Sequence, residues 1–290
     1  MKVVGFSIIK NAEIFDYPIR EAIQSILPLC DEVVVAVGKS TDQTLELVRA
    51  IHPQKIKIIE TVWNENLREG GTVLAAETNK AFQAIAKDAD WCVYIQADEV
   101  VHEDSLNSMR ESMLKWKDDK RVEALLLNFV HFYGSYNYVA DAYNWYRKEI
   151  RVIRQDDHII SWGDAQGFRK VNGKKLAVKE SFGTIHHYGY VKTPKQMMTK
   201  AKAFTSLFHS DEKVAQQFGN ASDYDFHQID SLKKFEGKHP TVMHDRITSM
   251  NWNFEFDTSK SKMKLKYRIR KWLEKLTGKN FGEYRNYKLI

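Results

Sequence analysis

The feature that most limits what this chain can become is the alternation of apolar runs and amphipathic stretches over about its first hundred residues. Val3 to Ile9 is a continuous apolar run between Lys2 and Lys10-Asn11, as expected of a strand buried on both faces. Ile14 to Leu29 follows at helical spacing, through Ile19, Ala22, Ile23, Ile26 and Leu27, and stops near Pro28. Val33 to Val37 is a second, β-branched strand. Thr41 or Asp42 is then placed to cap a helix through Leu45, Leu47, Val48 and Ile51, ended by Pro53. Ile56 to Ile59 gives a third strand, Gly70-Gly71 a turn, Leu74 to Ala86 a helix, and Trp91 to Ile95 a fourth strand. This order predicts an α/β fold with a doubly wound, mostly parallel sheet and helices on both faces. Such sheets bind ligands beyond the carboxyl ends of their strands. Asn11, Gly38-Lys39-Ser40 and Gln96-Ala97-Asp98 all fall there.

The second half changes character. Leu125 to Tyr133, Ile150 to Ile153 and Phe182 to Tyr188 are strand-like, separated by aromatic and glycine-rich loops. From Pro194 the pattern turns helical, through Met197, Met198, Ala201, Phe204, Leu207 and Phe208. It predicts an extension packed on the same sheet, followed by a helical tail.

With 290 residues, 43% of them hydrophobic, the chain can bury a large core. No repeat period appears. Val3 to Ile9 is too short for a signal core or a membrane span and lacks a cleavage site, so the expected location is the cytoplasm. Cys30 and Cys92 each lie in an apolar stretch and read as buried thiols. The net charge of +6 is concentrated from Lys260 to Lys288. That run is either a solvated helical face or a surface for anionic lipid headgroups, which would hold the protein peripherally at a membrane. No nucleic-acid-binding motif accompanies it, so nucleic acid is not expected as a partner.

The chemistry centres on Asp90-Trp-Cys-Val-Tyr-Ile-Gln-Ala-Asp98-Glu99, an apolar strand that ends in adjacent carboxylates. Carboxylates at the mouth of such a crevice can hold a hard divalent cation, or they can mark the acidic start of the helix expected over Ser105 to Leu114. Three segments occur in order: Phe6-Ser-Ile-Ile-Lys-Asn11-Ala-Glu13, then Cys30-Asp-Glu-Val-Val-Val35 with Ser40-Thr-Asp-Gln-Thr44, then Trp91 to Glu99. Together they resemble glycosyltransferase family two, and within it bacterial transferases of the lipopolysaccharide-core type. The resemblance covers the first hundred residues well. It is looser at Ile150-Arg-Val-Ile-Arg154, His186-His187-Tyr188 and Gly237-Lys-His-Pro240.

The resemblance implies a GT-A-type domain over residues 1–190, with the donor site mainly in 1–100. Residues 191–290 would be a helical acceptor-side extension with the basic tail. It further implies a nucleotide-sugar donor, a saccharide or lipid-linked acceptor, and a divalent cation, Mg²⁺ or Mn²⁺, at Asp98. Asn11, Glu13, Lys39, Asp42, Asn79 and Gln96 would line the nucleotide-sugar site. A histidine completes the metal shell in many GT-A enzymes, and His186 and His187 resemble it; neighbours on a strand face opposite ways, so at most one can reach the site.

Three positions depart from the family pattern. The first aspartate of its metal motif is Gln96, its strand-two aspartate is Val37, and its Arg-Asn pair is Thr78-Asn79. The cation is therefore expected to be weakly held or dispensable. The usual His-Glu falls at Gln166-Gly167, which leaves Asp164 as the nearest carboxylate for a catalytic base, ahead of Asp141, Glu149 and Glu180. An aromatic cluster, including Tyr133, Tyr136, Trp145, Tyr146 and Trp162, suits either an acceptor groove or simply a core of large side chains. Two rival readings are a sugar-nucleotide-binding scaffold without turnover and a sugar nucleotidyltransferase. The latter lacks its Gly-rich phosphate loop after strand one.

Overall fold

The computed structural model describes residues 1–64, 66–67, 69–259, 261–278 and 284–290. Lys260 and Lys279, both part of the expected basic tail, lie outside the described residues.

The first half builds β1 (Val3–Ile9), α1 (Ile19–Ile26), β2 (Glu32–Gly38), α2 (Thr44–Ile51), β3 (Ile56–Thr61), α3 (Thr72–Gln83) and β4 (Trp91–Tyr94). The four strands are parallel in the order β3-β2-β1-β4. Side chains alternate across this sheet with the period of two that a strand imposes. Val33, Val35 and Val37 face α1, α2 and a later helix, whereas Val34 and Ala36 face α3. Both faces are dry along β1, β2 and β4, which accounts for their continuous apolar runs, whereas the edge strand β3 exposes Lys57 and Glu60.

The chain continues through β5 (Glu99–Val101), α4 (Leu106–Trp116), β6 (Ala124–Tyr133), β7 (Ser135–Ala140), β8 (Lys148–Ile153), β9 (Ile159–Trp162), β10 (Gly167–Lys170) and β11 (Leu176–Tyr190). Here the sheet becomes mixed. β8 joins β4 antiparallel and β6 joins β8 antiparallel, while β11 runs parallel to β6 and antiparallel to β5. β9 and β10 form a separate hairpin. The last part holds α5 (Pro194–Ser206), α6 (Asp211–Phe218), β12 (Leu232–Lys234), α7 (His244–Thr248), α8 (Leu265–Thr277) and β13 (Tyr287–Leu289).

The expected α/β sheet is therefore present, with three differences. The helix expected from Ile14 begins only at Ile19, because Pro18 disfavours helix in the residue before it and Asp16 has a left-handed φ of 49°. The strand expected over Phe182 to Tyr188 extends back to Leu176. The 191–290 extension is more than helical: β12 pairs with β7 and β13 with β11, so its middle and its C-terminal end are sewn into the main sheet.

Candidate functional site

A cleft of about 690 Å³ opens at the carboxyl ends of β1 and β4. Of the residues expected from the sequence, it brings together Asn11, Gln96, Asp98, Asp164 and His187. Asp98 lies at its floor in the turn between β4 and β5. Its carbonyl accepts the Tyr188 N–H at 2.7 Å, which clips this turn to β11. Register does the rest: His187 pairs with Glu99 on one side and with His131 of β6 on the other.

Asp98 is buried, and its Oδ2 accepts from the Lys200 ammonium at 2.8 Å. Lys200 comes from α5, and its Nζ also donates to the Gly189 carbonyl at 2.8 Å. Burial works against both charges, but the mutual attraction wins. It holds the Asp98 carboxyl well below the usual carboxylate range and the Lys200 ammonium above its own. Glycine at 189 is required by space: a Cβ there would stand 2.7 Å from the His187 ring and 2.8 Å from Asp98 Oδ2.

The other Asp98 oxygen, Oδ1, faces His187 Nε2 at 3.7 Å. The tautomer of His187 follows from its neighbours. His131 Nε2 lies 2.8 Å from the Tyr146 carbonyl and must donate to it. Burial drops the His131 pKa to about 3, so this ring is neutral and its Nδ1 is an acceptor. His187 Nδ1, 3.2 Å away, therefore donates to it. Burial, opposed by Asp98, also lowers His187 and keeps it neutral. Its Nε2 lone pair is thus left facing a carboxylate oxygen in the cleft. Two acceptors in that position fit a cation between them, with His187 fixed from behind as metal-binding imidazoles are. Among the described residues no cluster of three or more metal-ligating side chains exists, so side chains offer at most these two donors at this place.

The remaining assignments divide. Gln96 donates from Nε2 to the Ala165 carbonyl at 3.0 Å, across the cleft floor, and Ala165 is held at a left-handed φ of 63°. Asp164 is half-buried on the cleft wall, with Oδ1 accepting the Gln166 N–H at 3.3 Å. The other carboxylates are engaged. Asp141 is ion-paired with Lys271, Glu180 is bound by Lys148 at 2.6 Å, and Glu149 packs under the 162–167 turn against Gln166.

Four residues expected in the nucleotide-sugar site lie outside the cleft lining. Asp42 accepts the N–H groups of Glu13, Ile14 and Thr44, and Glu13 accepts that of Gln43, so this pair ties the loop after β1 to the start of α2. Lys39 is exposed. Asn79 is bound to the Ser161 backbone at 2.8 Å and holds the β9–β10 hairpin onto α3.

His186 is a correction. It points to the opposite face of β11, where its Nδ1 reaches the Tyr188 hydroxyl at 3.3 Å and that hydroxyl reaches His239 at 2.9 Å. It cannot share a metal with Asp98. Glu99 is likewise no ligand: fully buried, it receives two bonds from Arg151, at 2.8 and 2.6 Å, and braces the Gln96 N–H.

The sequence matches the family described as "Glycosyl transferase family 2" over residues 17–175, more than half of its length. The chain belongs to this family. It is a glycosyltransferase, and its donor is a nucleotide-activated sugar. No curated protein matches it. Similar solved structures include Staphylococcus aureus TarS 1–349, at 14% identity and TM-score 0.39, covering 74% of this chain and 69% of that one. The transferase spans 41% of the longer TarS chain. Others are the mannosyltransferase PcManGT from Pyrobaculum calidifontis, in complex with GDP-Man and Mn²⁺ (25% identity, TM-score 0.31, 43% and 34% covered), and glucosyl-3-phosphoglycerate synthase from Mycobacterium tuberculosis, in complex with Mn²⁺, UDP and phosphoglyceric acid (20%, 0.30, 45% and 43%). Superpositions this partial assign no roles to residues of the transferase.

Lys200, His131 and Arg151 were missed by sequence reasoning. One signal for Lys200 existed: it falls three residues after Met197 and four before Phe204, on the apolar face of the helix. A charge there needs a buried partner.

Proposed function

We propose that the transferase moves a sugar, with inversion, from its nucleotide donor to a saccharide or lipid-linked acceptor. The setting is assembly of bacterial surface polysaccharide or lipopolysaccharide at the cytoplasmic face of the inner membrane. The observation that carries this reading is Asp98, buried between Lys200 and His187 on the floor of a cleft at the strand ends. Asp98 Oδ1 and His187 Nε2 would hold Mg²⁺ or Mn²⁺, which when bound neutralises charge on the leaving diphosphate. Lys200 uses two of its three donors on Asp98 and Gly189 and adds a fixed positive charge to the same floor. Asn11 and Gln96 contact the nucleotide-sugar, while Glu13, Asp42 and Asn79 act from behind by holding the loops that shape its pocket. Lys39 stays outside the cleft and has at most a peripheral role. Asp164 takes the proton of the attacking acceptor hydroxyl.

A scaffold that binds the donor without turning it over has one observation in its favour: Gln96, in place of a carboxylate, spends its amide on the Ala165 carbonyl. A turnover assay over a panel of nucleotide sugars and saccharide acceptors separates the two. We expect product, and a loss in kcat of about 10²–10⁴ in Asp164→Asn with donor affinity kept. Donor binding without product across the panel would favour the scaffold. Unchanged turnover in Asp164→Asn would remove Asp164 as the base.

A further inference from the structure

α8 is an amphipathic helix mounted the wrong way round for a soluble protein. Tyr267, Lys271 and Glu274, spaced four and three apart, form one face, and that polar face meets the body. Lys271 is ion-paired with Asp141, Glu274 accepts from the Tyr143 hydroxyl and from Arg147, and the Tyr267 and Tyr143 rings stack at 6.1 Å. The opposite face carries Leu265, Ile269, Trp272 and Leu276, at spacings of four, three and four. These are 70, 50, 60 and 64% exposed. An apolar stripe belongs against the core in a surface helix; here it is presented to the outside. Arg268 and Lys275 flank the stripe on one side and Lys266 on the other, all exposed.

We propose that α8 is a membrane-docking element. It lies flat in the headgroup layer of an anionic bilayer, with Leu265, Ile269, Trp272 and Leu276 in the acyl boundary and the flanking lysines and arginines on lipid phosphates.

Charge selects this occupant. The exposed charged residues that border the stripe, Lys266, Arg268 and Lys275, are all cationic, while Lys271 and Glu274 are paired on the body side. A second copy seated on the stripe would set like charges against each other, whereas an anionic lipid surface complements them. Among the described residues no helix is long and apolar enough to cross a membrane, so attachment through α8 would be peripheral.

The placement bears on the cleft. α8 is held by the segment 141–147, and Trp145 and Tyr146 of that segment line both the groove under α8 and the sugar cleft. A bilayer against the outer face of α8 would therefore be joined to the cleft wall through this one segment, which suits an acceptor carried on a lipid.

The test is sedimentation of the full chain with vesicles of phosphatidylcholine alone or mixed with phosphatidylglycerol. No sugar donor is added, so the result is independent of the transfer reading. The proposal expects binding to the anionic vesicles, little to the neutral ones, and weakening with added salt. The double variant Ile269→Ser/Trp272→Ser should lose about tenfold or more in partitioning. Each of Arg268→Gln and Lys275→Gln should cost about fivefold. All these positions are exposed, and unchanged thermal unfolding of the variants confirms that the fold is kept. Absence of binding to anionic vesicles, or equal binding by the double variant, overturns the proposal. So does a concentration-dependent dimer that the double variant abolishes, which would give the stripe to a second copy.

Discussion

At the scale of single residues, the site rests on charges that have been taken out of water and paired. Asp98 with Lys200 and Glu99 with Arg151 start from neighbouring residues and do different work. The first pair keeps one carboxylate oxygen free towards the cleft; the second is fully buried and only braces the turn. Removing one member of such a buried pair leaves the other charge stranded. Arg151→Met should therefore lower unfolding stability by about 3–5 kcal/mol, read from urea denaturation. A change below about 1 kcal/mol would mean that water reaches Glu99, contrary to its burial. Neither pairing was legible in the sequence. Asp98 and Lys200 are 102 positions apart, and Glu99 and Arg151 are 52 apart. Only the general demand that a buried charge be matched pointed to them. The cleft-facing role of Asp98, by contrast, was readable from an apolar strand running directly into acid residues.

At the scale of elements, β11 carries two histidines into two environments. His187 faces the cleft, and His186 enters an aromatic cluster with Phe132, Tyr188, Phe235 and His239. Strand alternation predicted that the two would part, but not which would face the site. That depended on the register of β11 against β5 and β6, and single-sequence patterning does not encode register between distant strands. Burial lowers His186 and His131 to about 3 and His239 to about 4. The unfolded chain protonates these groups near their ordinary value of about 6.5, while the native state does so only near 3–4. Native stability is therefore fully present above about pH 6.5 and is lost as pH falls from there towards 4, by about 1.4 kcal/mol per unit for each histidine. Melting temperature measured from pH 7.5 to 4.5 should fall steeply below about 6.5. A flat profile down to about pH 5 would show that these rings already carry protons in the native state. His186→Phe should make the fall shallower, because it removes one of the three groups.

At the scale of the whole molecule, the sheet is two halves with different origins in the sequence. The parallel β3-β2-β1-β4 half was legible because β1, β2 and β4 are dry on both faces, β3 at the edge keeps three isoleucines, and each connection is local. The mixed half was not, since β8, β6 and β11 are joined by long-range pairing and β12 and β13 return from the C-terminal region to its edges. The cleft lies on the seam between the halves. Asn11 and Asp98 come from the parallel side, Asp164 and His187 from the mixed one, and Lys200 from α5 above it. Such a site is complete only when the whole chain is folded, and the proposed cation shell would be complete only with the donor present. Calorimetric titration with nucleoside diphosphates and nucleotide sugars, with Mn²⁺ or with chelator, tests this most directly. The account predicts weak binding of Mn²⁺ alone, binding of one nucleotide that depends on Mn²⁺, and loss of both in Asp98→Ala. Equal nucleotide affinity in chelator, or in Asp98→Ala, would contradict the placing of the donor's diphosphate and its cation at Asp98.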